Sequence, residues 1–423
     1  MATLAGLTPP DVRLSLRDDT LSRLDPTRDL DLGTSLAAIT VSTKTALRAY
    51  ELAAAYRAAG VPVVLGGIHP TALPGEAQQH ADAVVVGEAE GLWQRVIADR
   101  RAGRLQPLYR HEQLPDFSRV PHRRWHLFRS RKYIPLYTMQ ASRGCPHDCD
   151  FCSVTPFFGR RLRLRDVDDL VGEIEQLDRR WVMFADDNIV GSPAHARRLF
   201  EALRPLKLTW LGQASLQGLH DRQTLRLMAR SGCMALFIGF ESVNPDSLAG
   251  CGKRQNRPER YLETVRMLHD HGIAIWAAFV FGLDGDRPDV FQRTLEFAQK
   301  AGFFMASFAI QTPYPGTRLH ERLQQEGRLL VPEWWLRTDR DYDFPLYRPL
   351  HMTPDQLFEG WQWTWSQFYR PRSIISRFRP LSLQAALGYL PLNLMQRRLV
   401  QSKILGRDRF FRRDAPGLLG RWR

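Results

Sequence analysis

Short apolar runs alternate with longer amphipathic stretches along most of the chain. In the first hundred residues, 36–41 reads as a β-prone run and 46–59 as an Ala-rich amphipathic helix ending at Gly60. Residues 62–65 and 83–86 read as fully apolar strands, closed by Gly66-Gly67 and Gly87-Glu88. Strands that are apolar throughout are covered on both faces, so the pattern predicts a parallel sheet in a doubly wound α/β domain. Gly66 and Gly67 fall at a strand's carboxyl end, where such sheets bind ligands and where bare backbone lets a ligand come close. A tight turn fits the same spacing, and both readings stand.

Residues 105–132 are basic, carry Pro107, Pro115 and Pro121, and show no period; they read as a linker. A second series follows. It predicts strands at 136–141, 181–185, 208–214, 235–240, 274–281 and 305–312, with helices at 167–177, 194–203, 221–230, 257–271 and 289–301. Six strand and helix units predict a parallel (βα) array, a complete or partial barrel, with chemistry in the loops that follow the strands.

Beyond Pro313 the character changes. Trp334, Trp335, Trp361, Trp363 and Trp365 crowd together, and 353–369 reads as a helix opening on a Thr-Pro cap. Charge then alters the picture. The formal net charge is +14, and residues 371–423 hold twelve basic residues against Asp408 and Asp414, so +10 of it sits in the tail. The rest is nearly balanced, which argues against a general nucleic-acid surface. The apolar stretch 381–395, flanked by arginines, suits a helix lying in a membrane interface. A helix packed across the barrel mouth accounts for it equally well. No run approaches the length of a membrane span and the N-terminus lacks a signal peptide's apolar core, so the expected location is the cytoplasm, with peripheral contact to the membrane's inner face through the tail.

Composition is that of an ordinary globular protein, with 44% hydrophobic and 25% charged residues, which excludes disorder and fibrous classes. Of the 5 cysteines, Cys145, Cys149 and Cys152 fall within eight residues. A Cys-x3-Cys-x2-Cys arises by chance in roughly one chain per thousand of this length, so the trio reads as a ligand set. Three thiolates are one short of a closed zinc site, and Cys233 and Cys251 are too isolated to complete a standard finger. A 4Fe-4S cluster on three thiolates keeps one iron open to an exogenous ligand. A non-catalytic protein using the trio for zinc or electron transfer remains the rival.

The trio, with Phe151 before the third cysteine and placed after the first strand of a six-unit array, resembles the radical S-adenosylmethionine (SAM) superfamily. Arg143-Gly144-Cys145-Pro146, Phe184-Ala185-Asp186-Asp187-Asn188, Gly239-Phe240-Glu241-Ser242 and Thr312-Pro313-Tyr314-Pro315-Gly316-Thr317 are similar to the branch with an N-terminal cobalamin-binding domain. Gly66-Gly67-Ile68-His69-Pro70 and Val86-Gly87-Glu88 extend the resemblance forward.

The resemblance implies an enzyme that cleaves SAM reductively at a 4Fe-4S cluster to start radical chemistry on a small molecule, possessing either C-methylation or hydrogen abstraction with cyclisation or rearrangement as its outcome. It implies cluster ligation by Cys145, Cys149 and Cys152, and SAM contacts from Phe151, Asp186, Asp187, Glu241, Ser242, Val280 and Gly282, with Gly66 and Gly67 lining a cofactor site. A reductase such as flavodoxin or ferredoxin would supply the electron, and the substrate class includes lipid-like and natural-product molecules. Cobalamin is left open, because the Asp-x-His-x-x-Gly segment of other cobalamin proteins is absent and residues 1–31 are too short for a complete domain's first strand and helix. His69 stands as either a corrin-facing or a structural histidine.

The expected organisation is a truncated cobalamin-binding-like α/β domain over 1–104, a linker over 105–134, a partial (βα)6 TIM-like core over 135–330, and a helical, aromatic-rich, basic region over 331–423.

Overall fold

Val63 to Leu65 and Ala83 to Val86 are buried on both faces, which is why these runs carry no polar alternation. They are strands β2 (Val63–Gly66) and β3 (Ala83–Val86) of a parallel four-stranded sheet, between β1 (Ala37–Thr40) and β4 (Leu108–Arg110), in the order β1-β2-β3-β4. The computed structural model describes residues 1–31, 33–128, 133–134, 136–337 and 344–404.

β4 corrects the sequence reading, since the sheet runs into the segment expected to be all linker. Only Tyr109 of its three residues is buried, and so short a strand leaves no period to read. Among the described residues, those ahead of β1 form no strand. They begin with a helix, Ala2–Leu7, whose Leu7 joins the core of Val64, Val85, Trp93 and Tyr109, while Trp93 Nε1 donates to Thr8 Oγ1 at 2.8 Å.

The described chain divides into two compact units, Met1–Leu208 with Thr312–Tyr342, and Thr209–Gln311 with Asp343–Arg423. Besides the four-stranded sheet, the first unit holds β5 (Tyr137–Met139) paired in parallel with β8 (Trp181–Phe184). An antiparallel pair, β6 (Ser142–Arg143) and β7 (Arg163–Leu164), lies between them in sequence. Helices Val167–Glu175 and Pro193–Leu203 follow, the former capped by Asp166 accepting from the Asp168 and Asp169 amides.

The second unit carries β9 (Thr209–Ala214), β10 (Cys233–Glu241), β11 (Ala274–Phe281) and β12 (Met305–Ile310), all parallel. β5, β8 and β9 to β12 are the six strands of the expected array, and β11 has the bounds read from the sequence. Helix Pro354–Phe368 opens on the expected Thr-Pro cap, which the structure completes as a capping box of Thr353 and Gln356. Its Trp361 and Trp365 indoles both donate to the Phe308 carbonyl of β12 at 2.7 Å.

Helix Leu383–Leu399 does not cover the carboxyl ends of this unit's strands. Its Ala385 and Tyr389 pack with Met234, Ala235, Ala274 and Met305, the first residues of β10, β11 and β12. The helix therefore underlies the amino ends of those strands, and the mouth-covering reading is set aside.

Candidate active site

The cysteine loop is an excursion between β6 and β7. Gly144 opens it at φ +89°, and a Cβ there would stand 2.5 Å from the Arg161 carbonyl oxygen, so glycine alone lets the two limbs of the neck close. Cys145, Cys149 and Cys152 form no disulfide; Cys149 is buried and the other two are partly exposed. The Cys152 amide donates to the Cys149 carbonyl at 3.2 Å, which folds the second half of the trio back on itself. Phe151 is half-buried between them.

A second segment of the same unit clips the loop. Thr317 caps helix Arg318–Gln325, donating to the Tyr314 carbonyl at 2.6 Å and accepting from the His320 amide. That helix presents the Leu319 amide to the Asp150 carbonyl at 2.9 Å, Arg322 to the Asp150 carboxylate at 3.0 Å and Arg318 to the Asp148 carboxylate at 3.2 Å. The Thr312 to Thr317 motif thus starts a helix that holds the cysteine loop. Asp148, Asp150, Arg318 and Arg322 were absent from the sequence-based candidates, because nothing local marks a pairing across some 170 residues.

The two acids after β8 differ in what they do. Asp186 is fully buried and its carboxylate accepts from Ser142 Oγ at 2.6 Å and from the Ala141 amide at 3.1 Å, fixing the turn between β5 and β6. Asp187 accepts from the Gly144 amide, yet its buried Oδ2 has no hydrogen-bond partner. Burial pushes both acids up to about 6; the Ser142 hydroxyl and loop amides oppose the shift at Asp186, and the Gly144 amide and Arg143 oppose it at Asp187.

Beside the loop lies a cavity of about 240 Å³ at the carboxyl ends of β1 to β3. Gly66, Gly67 and Gly87 line it together with Arg143, Phe157 and Phe158 of the cysteine segment. Gly67 adopts φ +107°, and a Cβ there would meet the Val41 carbonyl at 2.8 Å. His69 does not face this space. It is fully buried, with Nε2 3.1 Å from Tyr50 Oη and 3.0 Å from Glu76 Oε1, and Glu76 also accepts from Trp335 Nε1 at 3.0 Å. The structural reading of His69 is the one that holds.

In the second unit, Glu241 ends β10 in a left-handed conformation, φ +64°, which a side chain adopts only under constraint. Asn256 Nδ2 donates to the Gly239 and Phe240 carbonyls at 2.9 and 3.0 Å, and Tyr261 Oη lies 3.0 and 3.1 Å from the Phe240 and Ser242 carbonyls, which together pin the bend. The Glu241 carboxylate folds over Gly239 and pairs with Lys253 at 2.8 Å; any Cβ at Gly239 would collide with it. Ser242 Oγ accepts from the Asn244 amide at 3.0 Å. At the end of β11, Val280 is half-buried, and Gly282 donates to Asp286 at 3.0 Å while its carbonyl accepts from Tyr347 Oη. Asp286 also accepts from the Leu283 amide at 3.1 Å and from Ser247 Oγ at 2.5 Å, and burial pushes it up to about 6.

Among the described residues no group of three or more His, Cys, Asp or Glu side chains is placed to hold a metal ion. Three cysteines outside any disulfide in one loop, with a buried carboxylate oxygen of Asp187 near its first glycine, have the ligand chemistry that a 4Fe-4S cluster with one open iron requires. A corrin is another matter: the cavity lies below the range usual for drug-sized ligands, and Met1, Thr3 and Leu4 line it, so cobalamin does not fit it as it stands.

A parallel α/β array with three cysteines outside any disulfide after its first strand is the arrangement expected of a radical SAM enzyme. The radical SAM superfamily matches residues 139–298, and a domain of unknown function (DUF4070) matches 317–403. The chain belongs to the radical SAM superfamily, whose members use a 4Fe-4S cluster and SAM.

It is 31% identical over 392 residues to bacteriochlorophyllide d C-12(1)-methyltransferase of Chlorobaculum tepidum, covering 88% of this chain and 83% of that one. With the C-8(2)-methyltransferase of the same organism it shares 30% over 359 residues, 79% of this chain and 77% of the relative. The radical SAM methyltransferase TsrM from Kitasatospora setae, solved with cobalamin and a 4Fe-4S cluster bound, superposes with TM-score 0.64 at 15% identity, over 87% of this chain and 88% of that one, a likeness of fold. Membership decides for an enzyme over the non-catalytic rival. Among the described residues no helix is long and apolar enough to cross a membrane.

Proposed function

We propose that this enzyme transfers a methyl group to an unactivated carbon of a small organic molecule, and that a tetrapyrrole of the bacteriochlorophyllide kind is the first substrate class to test. The observation that carries the reading is the presence, in one unit, of three closely spaced cysteines outside any disulfide and of the open Oδ2 of Asp187. Similarity over most of the chain to two methyltransferases supports methyl transfer as the outcome.

Cys145, Cys149 and Cys152 would hold the cluster, which when bound would supply an electron to cleave one SAM to methionine and a 5'-deoxyadenosyl radical able to take a hydrogen atom from the substrate. A second SAM would give the methyl group and, with a second electron from the reductase, leave as S-adenosylhomocysteine. Asp187 receives the ammonium of the SAM amino acid, a charge-assisted contact that its partnerless oxygen is placed to make. Gly144 keeps the loop neck closed, and the Arg318 and Arg322 pairs keep the loop against its neighbouring helix. Phe151 supplies an aromatic face for adenine. For Glu241, Ser242, Val280 and Gly282 we retain the SAM-contacting roles that the resemblance implies, and for Gly66 and Gly67 a cofactor-lining role. A low-potential flavodoxin or ferredoxin delivers the electron.

The test is anaerobic reconstitution with iron and sulfide, then incubation with SAM, a reductant and a bacteriochlorophyllide, with and without added cobalamin, read by mass spectrometry. Methylated product together with S-adenosylhomocysteine supports the reading. Release of 5'-deoxyadenosine with an unmethylated, rearranged product overturns methyl transfer, and loss of all SAM cleavage in Cys145→Ala, Cys149→Ala and Cys152→Ala separates cluster chemistry from background.

A further inference from the structure

We propose that the outer face of helix Leu383–Leu399 is a docking surface for an anionic lipid membrane. Leu383, Leu387, Leu390 and Leu394 are 71, 69, 54 and 43% exposed. Their spacing of four, three and four residues sets them in one stripe along the helix. Ile375 and Phe378, 74 and 43% exposed, add to the apolar surface of the same region.

The stripe is not waiting for this unit's own core. The opposite face is already engaged: Ala385, Tyr389 and Asn393 are buried, Tyr389 Oη donates to the Ile374 carbonyl at 2.6 Å, and Asn393 Nδ2 donates to the Phe304 carbonyl at 3.0 Å. A helix apolar on both sides, one packed and one facing water, marks an interaction surface.

Charge selects the occupant. Residues 370–403 carry seven Arg or Lys and no Asp or Glu. Arg377 is spent inside the fold, donating to the Phe303 and Phe368 carbonyls at 2.7 and 3.1 Å. Arg372, Arg379 and Arg398, in the same segment as the apolar stripe, are exposed. Leucines rimmed by arginines with no acid between them complement an acyl boundary under anionic headgroups. A second copy of the chain would bring the same cationic rim against itself, which like-charge repulsion opposes. Because the helix underlies the amino ends of β10 to β12, docking leaves the carboxyl ends of those strands uncovered.

The experiment is flotation of the reconstituted full chain with vesicles of phosphatidylcholine alone or mixed equally with phosphatidylglycerol, at low and high salt. Expected is recovery with the anionic vesicles, falling about tenfold with phosphatidylcholine alone and falling again with salt. Leu387→Glu with Leu390→Glu, changed where the side chains already face water, should lower anionic recovery about tenfold with an unchanged melting temperature. Arg372→Gln with Arg398→Gln should lower anionic recovery with an unchanged melting temperature. No flotation in any condition overturns the proposal, as does equal flotation of the leucine variant. A dimer in sedimentation velocity that the leucine variant dissolves overturns it in favour of a second copy. None of these readouts depends on the substrate assigned above.

Discussion

Glu88, just past β3, and Arg143, the residue before the glycine that opens the cysteine loop, form an ion pair closed to water, with side-chain exposures of 1 and 5%. Arg143 reaches Glu90 as well at 2.8 Å, Arg163 pairs with Glu88, and the Phe117 ring lies 4.3 Å from the Arg143 guanidinium. The sheet that lines the cavity is thereby tied to the base of the cysteine loop. Removing one partner of a buried pair strands the other, at about 3 kcal/mol. Glu88→Gln should lower stability by about that amount and reduce the iron bound on reconstitution, as measured by denaturant unfolding and iron analysis; Glu88→Asp should recover part of both.

The neighbouring acids give separable outcomes. Asp186→Ala leaves the Ser142 hydroxyl and the Ala141 amide without their acceptor, and should destabilise the fold by about 1–3 kcal/mol. Asp187→Asn, which keeps an oxygen for the Gly144 amide and removes only the charge, should keep the melting temperature near that of the parent and raise the KM for SAM about tenfold or more. Melting curves and SAM-cleavage kinetics on the two variants check this. A reversal would assign the open oxygen to the wrong residue.

Gly144→Ala forces a Cβ to within 2.5 Å of the Arg161 carbonyl at a positive φ. The neck must open to admit it, and strain of about 1–3 kcal/mol is expected. Reconstituted iron content should fall while the secondary structure in circular dichroism is kept.

Acid should weaken the second unit through His269. Burial holds its imidazole down to about 4, with Arg379 adding to the shift and Asp270 opposing it, and its Nε2 lies buried without a partner. The unfolded chain takes up this proton near pH 6.5, the folded chain only near 4. The stability contribution is therefore complete above about pH 6.5 and lost as pH falls towards 4. Allowing for the ring's partial exposure, about 2 kcal/mol is at stake. Denaturant unfolding at neutral pH and near pH 4.5 should show a smaller acid loss in His269→Phe than in the parent.

Much of this molecule was readable without coordinates, for physical reasons. β3 is buried on both faces and β11 is apolar throughout with no exposed residue, so hydrophobicity alone marks their ends. The cysteine trio is local, and its spacing carries its chemistry. What escaped was either too short or too distant. β4 has three residues, two of them exposed, and no alternation can be read from that. The Trp335 bond to Glu76, which helps to enclose His69, joins residues 259 apart, and neither leaves a trace near the other. Asp186 and Asp187 look alike in sequence; only the hydroxyl and amides facing one of them tell them apart. In the tail the apolar run was plain, but which side of the helix it left in water depended on the strand ends beneath.

The bend at Glu241 has an implication for how the molecule can be altered. A glycine would relax there at no steric cost, and the surrounding amide and phenol groups would still hold the bend. A protein that keeps a charged, branched-out residue at an angle hostile to it is accepting tension in order to have an acid at that spot. Relaxing that angle with glycine would discard the acid and its 2.8 Å pairing with Lys253, so heat resistance gained there is taken from the chemistry of the bend.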